Sequence, residues 1–340
     1  MKIRHVLFFV AIVVLGWLVF SNVDRFGEFA KLLGQLNIPT LFLILPVRYL
    51  SYYSNTRYFV SFFELFGHKV QYKKLFRSVV TMNFVNTVFP TGGISGVSYI
   101  SSALKPKIDS HTTAIAQIFW QAFTVVGYFF FLMVAFLSLF VTNNTNRIGF
   151  KVILLFILMV LALGLVTAVI LFQRTTTERV LYWATRPLNV ILHFVKRDAL
   201  SKERVERFLD DFYGSVGHMR ANKGHVRRPI LWTQLGLLCE VASVYVVFLA
   251  FGVAPNPGVV IAGYSLALLF SSASFFTAGV GVYEATMVAT FVALGQPLGL
   301  SFSVVLVYRM IALWLFLPVG LYFSKNATLD DDSLQVKKAA

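Results

Sequence analysis

The sequence predicts an all-α protein that crosses a membrane several times. Its 340 residues are 57% hydrophobic and only 13% charged. Soluble chains average about 25% charged residues, so this chain has too few polar side chains to cover a water-exposed surface. Its 30 Lys and Arg residues outnumber its 15 Asp and Glu residues. Because basic residues concentrate in cytoplasmic loops of membrane proteins, and no nucleic-acid-binding motif accompanies them, the excess indicates orientation in the membrane and no nucleic-acid partner.

Six segments are apolar over about the 20 residues that a helix needs to cross the hydrocarbon core. They are predicted near residues 5–22, 38–61, 112–141, 150–173, 230–253 and 297–323. No small-residue cleavage site follows the first segment, which therefore indicates an uncleaved span instead of a signal peptide. Two further apolar stretches, about 79–104 and 258–295, are interrupted by glycines.

The positions of Lys and Arg predict which loops are cytoplasmic. Basic residues precede the first span, occur between residues 62 and 78, and reach 12 against 6 acidic residues in the stretch 174–228. The loops at 22–37, 142–149 and 254–257 contain only Arg25, Lys31 and Arg147. We therefore expect a multi-pass protein of the inner (cytoplasmic) cell membrane, with its N-terminus and its polar C-terminal tail, 324–340, in the cytoplasm.

In this orientation each glycine-interrupted stretch begins and ends on one side of the membrane. The 79–104 stretch starts and finishes inside, whereas 258–295 starts and finishes outside. This pattern predicts six full spans plus two re-entrant helical hairpins that enter from opposite faces. A double crossing by each stretch, with eight spans in total, has the same parity and is the alternative.

The two interrupted stretches share the pattern F-x-T-x-G, at residues 89–93 and 275–279. A match with opposite sidedness is typical of an inverted repeat. We predict one membrane domain, 1–340, with a first repeat at about 38–141 and a second at about 230–323, linked by the span 150–173 and the segment 174–228. Broken backbone at membrane depth is tolerated where it lines a cavity or contacts protein, although the glycines also permit close helix packing.

The linking segment 174–228 contains an amphipathic helix. Its apolar face is formed by residues at helical spacing, namely Val205, Phe208, Leu209, Phe212 and Val216. Charged residues occupy much of the remaining surface. Two interpretations stay open, since such a helix either lies on the inner membrane surface or packs against the bundle as a connector.

Three motifs resemble those of the lysylphosphatidylglycerol synthetase transmembrane family of flippase-like proteins. They are N-x-x-x-P-x-G-G at 86–93, G-x-G-V-x-E at 279–284, and the pair Tyr308-Arg309. The resemblance covers nearly the whole chain and implies a multi-span inner-membrane protein that binds or moves lipids. Larger members carry an aminoacyl-transferase domain, which we expect to be lacking because only 17 residues follow Phe323.

Several ionisable residues lie within the apolar segments, where a charge usually faces a cavity or a partner. We expect Glu284 to approach Arg309, and Glu240 to be the partner of Arg48. Each pair is either a structural ion pair or part of a site in which the arginine binds an anion such as a lipid phosphate. Arg57 lies nearer the inner end of its span, and its position favours a side chain that extends towards the headgroups.

The predicted substrate-binding residues combine these charges with the broken-helix motifs: Arg48, Asn86, Pro90, Thr91, Gly92, Gly93, Thr277, Gly279, Gly281, Glu284 and Arg309. We expect a protein that binds a phospholipid or lipid-linked anionic substrate and moves it between leaflets, with bilayer lipids as its other partners. The alternatives are a membrane-embedded lipid-carrier transferase or its accessory subunit, and a scaffold that docks a separate soluble enzyme through 174–228. The sequence contains no metalloprotease, dinucleotide, nucleophile-elbow or Walker A motif, so we expect no enzymatic activity, catalytic residue, cofactor or metal.

Overall fold

The computed structural model describes residues 32–88, 94–105, 108–141, 202–273, 281–314 and 317–325, with short pieces at 164–165, 169 and 173–179. Within these ranges the protein is helical and contains no strand. The predicted span 5–22, most of the predicted span 150–173 and nearly all of the tail 324–340 lie outside the described residues. The same is true of the shared motif at 89–93 and of residues 274–280.

The first half of the chain forms α1 (Ile38–Leu41), α2 (Ile44–Leu65), α3 (Tyr72–Val88), α4 (Ile94–Leu104) and α5 (Ser110–Val141). The predicted span 38–61 is thus a short helix followed by a long one. The Asn37 side chain caps α1 by accepting a hydrogen bond of 3.0 Å from the Thr40 N–H, which satisfies one of the free donors of a helix start. After α2 the chain turns at Gly67, whose φ of 78° is a backbone conformation that favours glycine.

The second half forms α6 (Lys202–Ala221), α7 (Lys223–Ala250), α8 (Pro257–Ala273), α9 (Val282–Ala293), α10 (Leu298–Trp314) and α11 (Leu317–Lys325). Helix α7 begins at Lys223, earlier than the expected residue 230. The first turns are basic, and hydropathy alone does not distinguish a basic helical turn from a loop. The predicted span 297–323 covers α10 and most of α11, which ends at Lys325. Among the described helices, α5 and α7 are long and apolar enough to cross a membrane, and parts of α8, α9 and α10 are apolar but shorter.

The core consists of two clusters of buried apolar side chains joined by the contact between α2 and α7. One cluster surrounds Phe248 and Phe291 and takes side chains from α5 and α7 to α10. The other surrounds Phe62 and Phe119 and takes side chains from α2 to α6. Helices α2 and α7 pack closely because Gly236 on α7 has no side chain and leaves room for Asn55 on α2.

Helix α6 packs against the bundle through the apolar face that the sequence predicted. Leu209, Phe212 and Val216 are buried, and the Phe212 ring stacks on Phe119 of α5 with 5.2 Å between centroids. Of the two interpretations for this helix, the contacts support the connector that packs on the bundle. The side chains of Val205 and Phe208 lie outside the described residues.

The helices of the two halves pack reciprocally. Helices α3 and α4 pack together, as do α8 and α9. Helix α5 of the first half packs against α8 of the second, whereas α11 of the second half packs against α3 of the first. Helix α7 packs against both α2 and α10, and side chains of these three helices meet at Glu240.

Candidate functional site

The first ion pair joins α2 to α7. Arg48 is only 6% exposed, and its Nη1 atom donates to Oε2 of Glu240. The same carboxylate accepts hydrogen bonds of 2.7 Å from the Ser51 hydroxyl and 2.8 Å from the Tyr308 hydroxyl. Three donors from two helices, α2 and α10, therefore hold Glu240 of α7, and the expected pairing with Arg48 is present. These hydrogen bonds offset the cost of burying the carboxylate, whereas the buried Arg48 Nε has no hydrogen-bond partner among the described residues.

Aromatic side chains surround this pair. The Arg48 guanidinium carbon lies 5.6 Å from the centre of the Tyr52 ring, a distance at which the ring attracts a cation. Tyr264 packs edge-on against Tyr308 at 6.3 Å and against Tyr283 at 6.4 Å. Tyr128 is also buried in the surrounding cluster. The rings cover most of the ion pair, whose exposed side-chain fractions are 7% for Arg48 and 20% for Glu240.

The second ion pair joins α10 to the start of α9. The Arg309 Nε donates to Glu284 Oε1 over 2.5 Å. The backbone N–H of Gly281 donates to the other carboxylate oxygen over 2.7 Å, so Glu284 also caps the helix that carries it. Gly281 has a φ of 86°, which a residue with a side chain rarely adopts. The expected approach of Glu284 to Arg309 is thus present.

The second pair is more accessible than the first. The exposed side-chain fractions are 21% for Arg309 and 31% for Glu284, against 7% for Arg48. The Arg309 guanidinium lies over the Tyr283 ring at 4.6 Å. Within the described part of the chain, no hydrogen bond occupies its Nη1 or Nη2 atom. A planar, permanently charged group held by a ring and one carboxylate retains donors that suit a phosphate.

Tyr308 and Arg309 are neighbours on α10 but contact different ion pairs. Successive side chains on a helix point about 100° apart, so Tyr308 reaches Glu240 while Arg309 reaches Glu284. Helix α10 therefore links the buried pair to the accessible one. Sequence reasoning missed the donors Ser51 and Tyr308. Ser51 follows Arg48 by three positions, a spacing that places both on one face of α2 and was the available signal.

The remaining predicted site residues fall into two groups. The Asn86 side chain accepts a hydrogen bond of 2.8 Å from the Gly96 N–H and one of 3.4 Å from Ser95. It therefore links the end of α3 to the start of α4, and a Cβ atom at Gly96 would overlap it. The other predicted residues lie outside the described part of the structure: Pro90, Thr91, Gly92, Gly93, Thr277 and Gly279.

The described residues bring no three His, Cys, Asp or Glu side chains close enough to hold a metal ion. Some buried polar atoms also lack a hydrogen-bond partner within the described ranges. Among them are Gln117 Oε1 and Trp120 Nε1, both on α5. The chemistry that this arrangement offers is the binding of an anion at Arg309.

A helical bundle with two helices long and apolar enough to cross a membrane, and with ion pairs between its helices, is typical of an integral membrane protein. The chain belongs to the family described as the lysylphosphatidylglycerol synthase TM region, whose model matches residues 5–320. The family predicted from the sequence motifs is thus confirmed, and with it the location in a membrane.

A relative is known in Methanothermobacter thermautotrophicus (strain ATCC 29096 / DSM 1053 / JCM 10044 / NBRC 100330 / Delta H), where it is described as a UPF0104 membrane protein. It is 31% identical to this chain over 136 residues. The aligned part covers 38% of this chain and 41% of the relative, so less than half of the relative's length is matched. No solved structure matches the chain.

Proposed function

We propose that the protein binds a phospholipid or a lipid-linked anionic molecule at Arg309 and moves it between the two leaflets. The observation that carries this proposal is the state of the Arg309 guanidinium. Its Nε is held by Glu284 and its face by Tyr283, while both Nη atoms stay free of hydrogen bonds within the described residues. Membership of the lysylphosphatidylglycerol synthase TM family supports a lipid as the ligand.

In the proposed mechanism, a headgroup phosphate binds the Nη edge of Arg309 while the acyl chains remain in the bilayer. Because the phosphate competes with Glu284 for the same cation, its arrival weakens the ion pair. Glu284 then keeps its hydrogen bond from the Gly281 N–H and the favourable field of the α9 N-terminus. The buried pair of Arg48 and Glu240 holds α2 and α7 together meanwhile. The sequence contains no ATP-binding motif, so the movement is passive or ion-driven.

The proposal includes two re-entrant hairpins, α3–α4 and α8–α9, related as an inverted repeat. Helices α4 and α9 contain 11 and 12 residues, which at 1.5 Å per residue span only about 17 Å, against roughly 30 Å of hydrocarbon. Their shortness supports hairpins that enter and return. The reciprocal packing of α5 on α8 and of α11 on α3 supports the repeat.

We also propose that both termini face the cytoplasm of an inner-membrane protein. The basic starts of α3 and α7 carry Lys73 and Arg227. At this end α6 meets the last turn of α2, where a ring nitrogen of His218 lies 3.0 Å from the Leu65 carbonyl oxygen. This clustering of basic helix starts at one end of the bundle supports a cytoplasmic location for that end.

The test is a leaflet-resolved lipid assay in vesicles that contain the purified protein. A phosphatidylglycerol with a fluorescent acyl chain is added, and a membrane-impermeant reductant reports the fraction in each leaflet. We expect Arg309→Lys to fold normally but to move the lipid about tenfold more slowly, because an ammonium group lacks the two-pronged edge of guanidinium. Arg309→Gln is expected to lose the activity.

The matched control is Met310→Ala, which changes an exposed neighbour on the same helix and is expected to keep the wild-type rate. Wild-type lipid movement by Arg309→Gln would overturn the proposal.

The transferase and scaffold alternatives make different predictions. A lipid-carrier transferase would form product from a donor lipid in detergent, where no leaflets exist. A scaffold would lose a soluble partner when α6 is removed. The buried apolar face of α6 already contacts Phe119, so a docked enzyme would have to use the charged face. We propose transport because the accessible charge lies at Arg309, between the helices.

A further inference from the structure

A third arginine of the membrane region is held by aromatic rings. Arg57 on α2 lies 5.1 Å from the centre of the Tyr53 ring and 4.9 Å from that of Tyr72, the first residue of α3. Its Nε atom donates to the Tyr53 hydroxyl over 2.9 Å. Tyr53 contacts Tyr72 at 5.4 Å and Trp232 of α7 at 5.7 Å. We call these four residues the Arg57 cluster.

The Arg57 side chain is held between α2 and the start of α3. Side chains on a helix lean towards its N-terminus, and Arg57 follows this direction to reach Tyr53, one turn back along α2. The rings and the tyrosine hydroxyl then hold it in place. These contacts therefore fix the orientation of the guanidinium plane.

The charge of Arg57 has no acidic partner among the described residues. The ion pairs in these ranges involve Arg48, Arg174, Arg309 and His111 as cations. Within the same ranges, no hydrogen bond occupies the Nη atoms of Arg57. All members of the Arg57 cluster are partly exposed, so a ligand can approach the guanidinium edge.

The Arg57 cluster lies at the start of α3, where the next residues are Lys73 and Lys74. Lys73 is exposed. Tyrosine and tryptophan concentrate at the level of the lipid headgroups, and basic residues attract anionic lipids there. Nine residues of α2, or about 13 Å, separate Arg57 from Arg48. The cluster is therefore distinct from the two ion pairs in the middle of the bundle.

We propose that the Arg57 cluster is a second anion site, which binds the phosphodiester group of an anionic phospholipid in the cytoplasmic leaflet. The rings hold the guanidinium plane, and its free edge donates two parallel hydrogen bonds to phosphate oxygens. This inference does not depend on transport through Arg309, because the site binds lipid whether or not lipid moves.

Native mass spectrometry of the purified protein in detergent, titrated with phosphatidylglycerol, tests the site. We expect Arg57→Gln to weaken the tightest binding step about tenfold or more, as the loss of a charge-assisted contact requires. Lys73→Gln is the matched control, since it removes one positive charge beside the cluster, and we expect a change of less than about threefold. Arg57→Lys keeps the charge but not the flat edge, and it should bind with intermediate strength.

Tyr72→Phe removes only a hydroxyl group, so it keeps both Arg57 and the aromatic packing. Together with Tyr72→Ala it tests the site even if Arg57→Gln does not fold. We expect Tyr72→Phe to bind as the wild type does, because its ring holds the arginine, and Tyr72→Ala to bind several-fold more weakly.

Equal weakening by Arg57→Gln and Lys73→Gln would overturn the proposal, since it would indicate general attraction by charge. Full competition by millimolar inorganic phosphate would overturn the lipid as ligand and assign the site to free phosphate. If Arg309 variants lose lipid movement but still bind phosphatidylglycerol as the wild type does, the result supports a lipid site that is separate from Arg309.

Discussion

Arg48 and Arg309 differ in what surrounds them, and their surroundings give them different tasks. The carboxylate that holds Arg48 also accepts from Ser51 and Tyr308, so each charge of this pair is neutralised and hydrogen-bonded. Arg309 contacts one carboxylate oxygen of Glu284 through its Nε atom, and its two Nη atoms have no hydrogen bond within the described residues. A desolvated charge without its partner costs several kcal/mol. The first pair therefore stabilises the bundle, and the second is suited to exchange its partner.

At this residue scale we predict that Arg48→Met is strongly destabilising. It leaves Glu240 buried without a cation, which typically costs about 3–5 kcal/mol. The double variant Arg48→Met with Glu240→Gln removes both charges and should recover at least half of the loss. The measurement is the thermal midpoint of the purified protein in detergent, followed by the fraction that elutes as a monodisperse peak.

Arg309→Met is the comparison for this cycle. Because its pair is partly exposed, we expect a smaller loss of stability than for Arg48→Met. A double variant at positions 48 and 240 that is less stable than Arg48→Met alone would contradict the assignment of this pair as a satisfied anchor.

Glycines act in two ways at the scale of the helices. Gly281 is needed for its backbone conformation, since its φ is 86° and a Cβ atom there would meet nothing within 4 Å. Gly263 and Gly320 are needed for space, because a Cβ atom would overlap the Phe291 ring and the Phe84 Cβ respectively. For the glycines of the two interrupted stretches, the sequence allowed either a broken backbone or close helix packing. The structure assigns close packing to Gly263 and Gly320, and a special conformation to Gly281.

We predict at the element scale that Gly320→Ala separates α11 from α3 and lowers stability by about 1–3 kcal/mol, the usual cost of overpacking. The obstructing atom is the Phe84 Cβ, which cannot move without its backbone. Gly217→Ala on α6 is the matched control. Nothing lies within 4 Å of a Cβ at that helical position, so we expect it to be neutral or up to about 1 kcal/mol more stable. Thermal midpoints of both variants in detergent make the comparison, and an equal loss in both would be inconsistent with close packing at Gly320.

For the whole molecule, each half packs on the other through one pair of helices, α8 on the long helix α5 and the short helix α11 on α3. Movement of α8 and α9 is thereby coupled to α5, and movement of α3 to α11. The Arg48–Glu240 pair joins α2 of the first half to α7 of the second, whereas the Arg309–Glu284 pair joins α9 and α10 within the second half. These connections between the halves are compatible with the transport proposed above.

The proposed opposite orientation of the hairpins has a direct test, because the chain contains one cysteine, Cys239. In a Cys239→Ser background, single cysteines replace four exposed residues: Lys69 and Lys105 beside the first hairpin, and Ala254 and Ala293 beside the second. We expect a membrane-impermeant maleimide to label the first two only from the cytoplasmic side of sealed vesicles. The other two should react only from the opposite side. Labelling of all four from one side would exclude the inverted arrangement.

Much of the helical arrangement could be predicted from the sequence because apolar composition and span length are local properties. The expected segments 112–141 and 230–253 correspond to α5 and α7, with α7 beginning earlier at Lys223. The partners of Arg48 and Arg309 were also predictable, since few carboxylates lie among the apolar residues and a charge there usually faces a partner. The role of Asn86 was not predictable, because the Gly96 N–H that it binds belongs to the next helix and comes near only in the folded protein.

By itself, therefore, the sequence determined the membrane class, the family and the identity of the charged residues that must find partners, since hydropathy and motif spacing do not depend on packing. Only the tertiary structure decided which charges are enclosed and which stay reachable. Arg48 and Arg309 look alike as single positions in apolar segments. They differ because Ser51, Tyr308 and the surrounding rings enclose the first pair, whereas the second lies at the start of a short helix. Exposure and hydrogen-bond satisfaction belong to the assembled bundle, because helices distant in sequence supply the donors.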